Sequence, residues 1–88
     1  MKVKTTYEGH VLELQRSLGS VNFLVDGEIR DMTGGKLVHH KVDQTYHAEI
    51  QEGPHRGISV KAELKLGWLT DRVFFYFNGQ LIDEKTLL

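Results

Sequence analysis

Residues 58–65 alternate strictly between apolar and polar side chains, and this pattern constrains the fold more than any other feature of the chain. The apolar positions are Ile58, Val60, Ala62 and Leu64, and the polar positions are Ser59, Lys61, Glu63 and Lys65. A period of two places each set on one face of a β-strand, whereas a helix would scatter the apolar set around its axis. The segment is therefore predicted to be a strand with one buried and one solvated face.

Three dipeptides that end in glycine mark tight hairpin turns: Glu8-Gly9, Asp26-Gly27 and Asn78-Gly79. A two-residue type I′ turn requires positive φ at both central residues, which Asn-Gly and Asp-Gly tolerate best and which glutamate resists. The predicted strand pairs are 3–7 with 10–14, 21–25 with 28–29, and 73–77 with 80–82. The chain is thus predicted to fold as successive antiparallel hairpins.

The register of these hairpins follows from collecting the apolar side chains on one face. Across Glu8-Gly9, Tyr7 pairs with His10, and a slip by one residue would turn Lys2 and Lys4 toward the core. The predicted inner face of this hairpin carries Val3, Thr5, Tyr7, Leu12 and Leu14. Across the four-residue loop Gly67–Thr70, the same rule pairs Leu64 with Val73, Ala62 with Phe75, and Val60 with Phe77.

The middle of the chain is predicted to form another hairpin, with its turn at residues 43–45. Two alternating apolar sets, at 38, 40, 42 and at 46, 48, 50, share a face in this register. The resulting cross-strand pairs are His39 with Glu49, His40 with Ala48, Lys41 with His47, and Val42 with Tyr46. Residues 53–57, with two glycines and the single proline of the chain, mark the next break.

Turns at this close and regular spacing predict about eight short strands. We expect one domain over residues 1–88, an all-β antiparallel β-sandwich, in preference to a barrel. Residues 84–88 are too few for a stable helix and are predicted to be a turn or a frayed end.

Charge and composition exclude several classes of function. The formal net charge is −1 with both signs interspersed, unlike the basic surface of a nucleic-acid-binding protein. Apolar runs such as Val73–Phe77 are too short to span a bilayer, and no signal-like apolar stretch follows Met1–Lys4. We therefore expect a cytoplasmic protein with neither nucleic-acid nor membrane partners.

Side chains suited to catalysis are not grouped in a recognisable motif. The carboxylates fall at turns or on solvated faces, and the serines lack a nucleophile-elbow context. The glycine-rich segment Thr33–Lys36 is too short for a phosphate-binding loop and reads as a turn. We expect no enzymatic activity and no cofactor.

Histidines are the candidate metal ligands, because imidazole binds zinc, copper and nickel. His39, His40 and His47 lie in the predicted central hairpin, whereas His10 and His55 lie elsewhere. The preferred register turns His40 inward and His47 outward. A register shifted by one residue would pair these two side chains but would split the apolar faces. Two interpretations therefore remain open. Either the three histidines bind a metal ion, or His40 is partly buried while His39 and His47 face solvent. The register favours the second interpretation.

Trp68 and Leu69 are the first candidate residues for protein binding. They lie at the tip of the predicted loop Gly67–Thr70. Such side chains either fold back to cap the core, which is the commoner outcome, or project as a binding anchor.

The aromatic strand 73–77 supplies the second candidate surface. If Phe75 faces the core, Phe74 and Tyr76 point to the opposite face, where Leu24 or Ile29 would join them. An apolar outer face must be covered, either by a second sheet of the domain or by another subunit. Both candidates favour a non-enzymatic protein-interaction module, including one that binds a second copy of itself, with a metal- or ligand-binding domain as the alternative.

The order of turns resembles the β-sandwich of the Fas apoptotic inhibitory molecule family. The points of likeness are Glu8-Gly9, Asp26-Gly27, a strand pair around 46–50, the strand 58–64 and the closing segment Phe77–Gln80. The resemblance implies a compact antiparallel sandwich and a non-enzymatic, protein-binding role. It supplies no catalytic residues, and a role in apoptosis is not carried over from a likeness in fold.

Overall fold

The computed structural model describes residues 1–34 and 44–87, and their regular structure is entirely β. Each of two antiparallel sheets contains four strands in chain order. The first sheet consists of β1 (Lys2–Tyr7), β2 (His10–Ser17), β3 (Ser20–Val25) and β4 (Glu28–Gly34). The second consists of β5 (Gln44–Glu49), β6 (Ser59–Lys65), β7 (Asp71–Phe77) and β8 (Gln80–Leu87). The predicted all-β antiparallel class is confirmed.

The two sheets pack face to face around one apolar core. Fully buried side chains from both sheets meet there: Leu12, Leu14, Val21 and Phe23 from the first, and Tyr46, Val60, Ala62, Val73 and Phe75 from the second. Burying each large side chain contributes about 1.5–3 kcal/mol relative to leaving it exposed. The core therefore joins the sheets into a β-sandwich.

The registers deduced from side-chain alternation are confirmed at two of the three hairpins for which they were derived, those with turns at Glu8-Gly9 and Gly67–Thr70. Tyr7 pairs with His10 and Val3 with Leu14 across the first turn. Ala62 pairs with Phe75 across the β6–β7 loop. Glu8, Asp26 and Asn78 all have positive φ, between 51° and 53°, as a type I′ turn requires.

The end of the chain corrects the expectation of a turn or frayed segment. Strand β8 extends to Leu87 and pairs with β7 along its whole length, from Phe77 opposite Gln80 to Asp71 opposite Leu87. The Leu87 side chain is only 2% exposed and belongs to the core. A segment too short for a helix is long enough for a strand when a neighbouring strand offers its hydrogen-bonding groups.

The prediction for the central region, around β5, is confirmed in part. Tyr46 and Ile50 are buried and His47 is exposed, as the alternation predicts. Gln44 and Thr45, predicted to lie in a turn, instead begin β5 and pair with β6. The predicted partner strand 38–42, including His39 and His40, lies outside the described residues. A further two-residue turn at 18–19 joins β2 to β3, and β4 is longer than predicted.

Corresponding hairpins of the two sheets share an unusual detail. In β3–β4 the register shifts between Phe23 and Leu24, and in β7–β8 it shifts between Phe75 and Tyr76. The two aspartates at these bulges, Asp31 and Asp83, each accept a hydrogen bond of 2.8 Å from the next backbone amide. The segments 23–29 and 75–81 are also alike in sequence, since each has three apolar residues, Asp-Gly or Asn-Gly, Glu or Gln, and a final apolar residue. One local structure is therefore used twice.

Asp31 also joins the two sheets at one side of the sandwich. Its Oδ2 accepts a hydrogen bond of 2.9 Å from the backbone amide of His47 in β5, an outer strand of the second sheet. An unpaired outer strand is a template for pairing with another chain, and an acidic side chain that occupies its amide discourages this.

Candidate functional site

Alternate turns of the two meanders lie at opposite ends of the sandwich. The end formed by the β2–β3 turn and the β6–β7 loop is here called the apolar end, because four exposed apolar side chains lie there: Met1, Leu18, Trp68 and Leu69. The end formed by the other turns is called the polar end, and it contains Glu8-Gly9, Asp26-Gly27, residues 51–57 and Asn78-Gly79. The chain thus presents two ends of different chemistry.

The apolar end is held together by polar contacts beneath the exposed side chains. Arg16 at the end of β2 forms an ion pair with Asp71 at the start of β7 and so joins the two sheets. The other carboxylate oxygen of Asp71 accepts a hydrogen bond of 3.3 Å from the amide of Gly67. The Met1 ammonium group donates to the carbonyl of Arg16 at 2.7 Å. These polar contacts therefore hold the base of the apolar end in place, while the side chains at its tip are apolar and exposed.

Trp68 and Leu69 project from this base. Their exposed fractions are 95% and 87%, so the side chains do not fold back onto the core. Gly67 helps to set the path of the loop, because a Cβ atom there would overlap the carbonyl oxygen of Thr70. Of the two conformations that the sequence left open, the structure has the projecting one.

Phe74 and Tyr76 lie on the outer face of the second sheet and are half-buried. Lysine side chains of β6 cover them: the Lys61 Nζ lies 4.3 Å from the Tyr76 ring centroid, and the Lys65 Nζ lies 5.5 Å from that of Phe74. The hydrogen bond of the Tyr76 hydroxyl to Glu63 raises the pKa of that hydroxyl. Among the described residues, the cover comes from the neighbouring strand and not from a second sheet.

Leu24 and Ile29, suggested as neighbours of that aromatic face, lie in the first sheet. Leu24 is buried and Ile29 is half exposed. The suggestion assumed that strands 21–25 and 73–77 share a face, and the two-sheet topology places them in different sheets.

The described residues include one of the three histidines predicted as metal ligands. His47 is exposed on β5, and His39 and His40 lie outside the described residues. Within residues 1–34 and 44–87, no three histidine, aspartate or glutamate side chains form a group suited to a metal ion.

A different pair of histidines meets at the polar end. His10 begins β2, and His55 lies in the β5–β6 connection. The His10 Nε2 and the His55 Nδ1 are 3.3 Å apart, and the His10 Nδ1 lies 2.8 Å from Oδ2 of Asp26. No local signal in the sequence identifies this pair, because the two residues belong to separate meanders that meet only when the sheets pack.

Asp26 is ionised in this contact. Partial burial raises the pKa of its carboxyl group, but hydrogen bonds from His10 and from the Val11 amide outweigh that effect and lower the pKa overall. The Val11 amide donates to Oδ1 at 2.9 Å, so both carboxylate oxygens are engaged. A carboxylate held in this way orients the imidazole beside it.

Comparisons with known proteins add no further constraint on function. No helix able to cross a membrane occurs in the described parts of the chain. No protein-family model, curated protein or solved structure matches the sequence or the fold.

Proposed function

We propose that the chain is a non-enzymatic protein-interaction module that associates with a second copy of itself through the apolar end. The observation that carries the proposal is the exposure of Trp68 and Leu69 together on a braced loop. Tryptophan is among the residues most enriched at the energetic centres of interfaces, because it buries a large rigid surface. Adjacent exposed apolar side chains mark a contact surface more often than isolated ones do.

Charge supports a second copy as the partner. The net charge of −1 produces little repulsion between two chains, and proteins near neutrality associate readily. Strand pairing through β5 is less favourable, because Asp31 already binds the amide of His47.

The resemblance to the Fas apoptotic inhibitory molecule family is in keeping with a non-enzymatic role. In the proposed module, Phe74 and Tyr76 serve as an outer face stabilised by Lys61 and Lys65, and the apolar end makes the contact.

The test uses the single tryptophan of the chain as its own reporter. If the apolar end forms the interface, raising the protein concentration shifts the Trp68 emission to shorter wavelengths as the indole leaves water. Sedimentation equilibrium over the same range is expected to show a dimer. The variant Leu69→Ser retains the reporter and is expected to weaken the dimer about tenfold. Leu81→Ser, at the opposite end of the sandwich, is the matched control and is expected to have no effect.

A monomeric mass throughout the micromolar range, with an unchanged emission maximum, contradicts self-association. A dimer that Leu81→Ser weakens as much as Leu69→Ser contradicts the choice of surface. Crosslinking through Phe74 or Tyr76 would instead assign the contact to the outer face of the second sheet.

A further inference from the structure

The two imidazoles at the polar end are arranged as a pair of metal ligands. The His10 Nε2 and the His55 Nδ1 face each other at 3.3 Å. Two nitrogens bound to one zinc ion at 2.0–2.1 Å in tetrahedral geometry are about 3.3–3.4 Å apart. Adjacent nitrogens of a square-planar copper site are closer, at about 2.8 Å. The observed hydrogen-bonded separation therefore matches the edge of a zinc tetrahedron.

Asp26 prepares His10 to bind through the correct nitrogen. Because an ionised carboxylate only accepts hydrogen bonds, the His10 Nδ1 carries the proton and donates it to Oδ2 at 2.8 Å. The Nε2 of the neutral ring then directs its electron pair toward His55 and accepts a hydrogen bond from the Nδ1 of that ring. A carboxylate behind a histidine in this way is the usual outer partner of a zinc ligand, and it raises the basicity of the ligand nitrogen.

His55 is held by the backbone of its turn. The His55 carbonyl accepts from the Ile58 amide at 3.0 Å, and the Gly57 amide donates to the Ile50 carbonyl at 2.8 Å. The Phe77 ring packs edge-on against the His55 ring, with a centroid separation of 5.6 Å. His10 lies over the same phenyl ring at 6.3 Å. Both ligands are thus positioned before any ion arrives, which lowers the entropy that binding must overcome.

We propose that His10 and His55 bind one zinc ion, with Asp26 as the outer partner of His10. The His55 ring binds through Nδ1 after its proton moves to Nε2, so the neutral pair binds the ion without net release of a proton. Water or an incoming ligand completes the coordination, since the described side chains offer two nitrogens at this point.

The experiment titrates zinc chloride into the full chain by calorimetry at neutral pH in a buffer that does not bind metals. One ion per chain is expected. The triple variant His39→Gln/His40→Gln/His47→Gln removes the other three histidines and is expected to bind zinc as the natural chain does. His10→Gln and His55→Gln are each expected to weaken binding at least tenfold. Cobalt(II) serves as a second probe, because tetrahedral coordination gives it an intense visible absorption that octahedral coordination lacks.

A third variant keeps the proposal testable if a ligand substitution prevents folding. Asp26→Asn leaves both nitrogens in place and is expected to weaken zinc binding about 10–100-fold, the usual effect of losing an outer partner. No zinc binding by the natural chain overturns the proposal. Binding that survives His10→Gln and His55→Gln, or that disappears in the triple variant, overturns it as well, because either result assigns the ion to other histidines.

Discussion

Leu87 provides the sharpest test of the fold, because the alternation of side chains along the chain does not place it in the core. Its side chain is 2% exposed, whereas Leu81 in the same strand is 48% exposed. Leu87→Ala removes three carbon atoms, and at about 0.8 kcal/mol for each buried methylene the lost transfer energy is about 2.4 kcal/mol. The site lies near a strand end where neighbours can close part of the cavity, so we expect a total loss of about 2–3 kcal/mol.

The measurement is urea unfolding followed by far-ultraviolet circular dichroism. Trp68 fluorescence is a poor reporter of unfolding because the indole is already exposed in the folded chain. With a slope of about 1 kcal/mol per molar, the Leu87→Ala midpoint falls by about 2–3 M. Leu81→Ala is the matched control, and its half-exposed side chain predicts a loss of about 1 kcal/mol or less.

Equal midpoint shifts for the two leucine variants would refute the reasoning, because they would mean that the end of β8 is not packed. The slope must also stay constant between variants, since a changed slope indicates a change in the surface exposed on unfolding. A domain of this length has about 4–13 kcal/mol of total stability, so a loss of 2–3 kcal/mol is measurable without abolishing the fold.

Three further substitutions test the turns. Asp26→Asn keeps the turn conformation but loses the charged hydrogen bonds, and we expect about 1 kcal/mol of destabilisation at pH 7. The pKa of Asp26 is lowered in the folded chain, so the stabilising contribution of its carboxylate is present above the unfolded pKa of about 3.9 and disappears as the pH falls through the folded pKa. The urea midpoints of Asp26→Asn and of the natural chain should therefore differ at pH 7 and converge toward pH 2. Glu8→Asn replaces a glutamate at φ 51° with a residue that tolerates positive φ. We expect it to increase the free energy of unfolding by about 0.5–1 kcal/mol and so to raise the melting temperature. Gly67→Ala forces the loop away from the Thr70 carbonyl, so we expect a lower melting temperature and an altered near-ultraviolet dichroism of Trp68.

Much of the fold could be predicted because each hairpin is specified locally. The Asn-Gly and Asp-Gly turns fix where the chain reverses, and alternation fixes the register, since a one-residue slip would bury lysines. The strand identity of 84–87 could not be predicted, because residues such as Glu84 and Lys85 have little intrinsic strand preference. Their pairing depends on β7, which lies beside them only after the Asn78-Gly79 turn has formed.

The candidate sites, like the fold, could be predicted only where local sequence determines them. The position of Trp68 in a loop follows from local sequence, but its projection away from the core depends on the path that Gly67 and Asp71 impose. The contact of His10 with His55 joins residues 45 positions apart in different sheets. Neither residue belongs to a local motif, so only the packing of one sheet on the other brings the rings together.

The separation of alternate turns to opposite ends gives the chain two surfaces that can change independently. Strands of six to eight residues keep the ends about 20 Å or more apart. Substitutions at that distance are additive in their effects on stability, provided that they share no partners. Loops at the Trp68 end can therefore be exchanged or lengthened while the histidine end is unaltered, and the reverse also holds. The proposed contact surface and the proposed zinc site can accordingly be varied one at a time on one shared core.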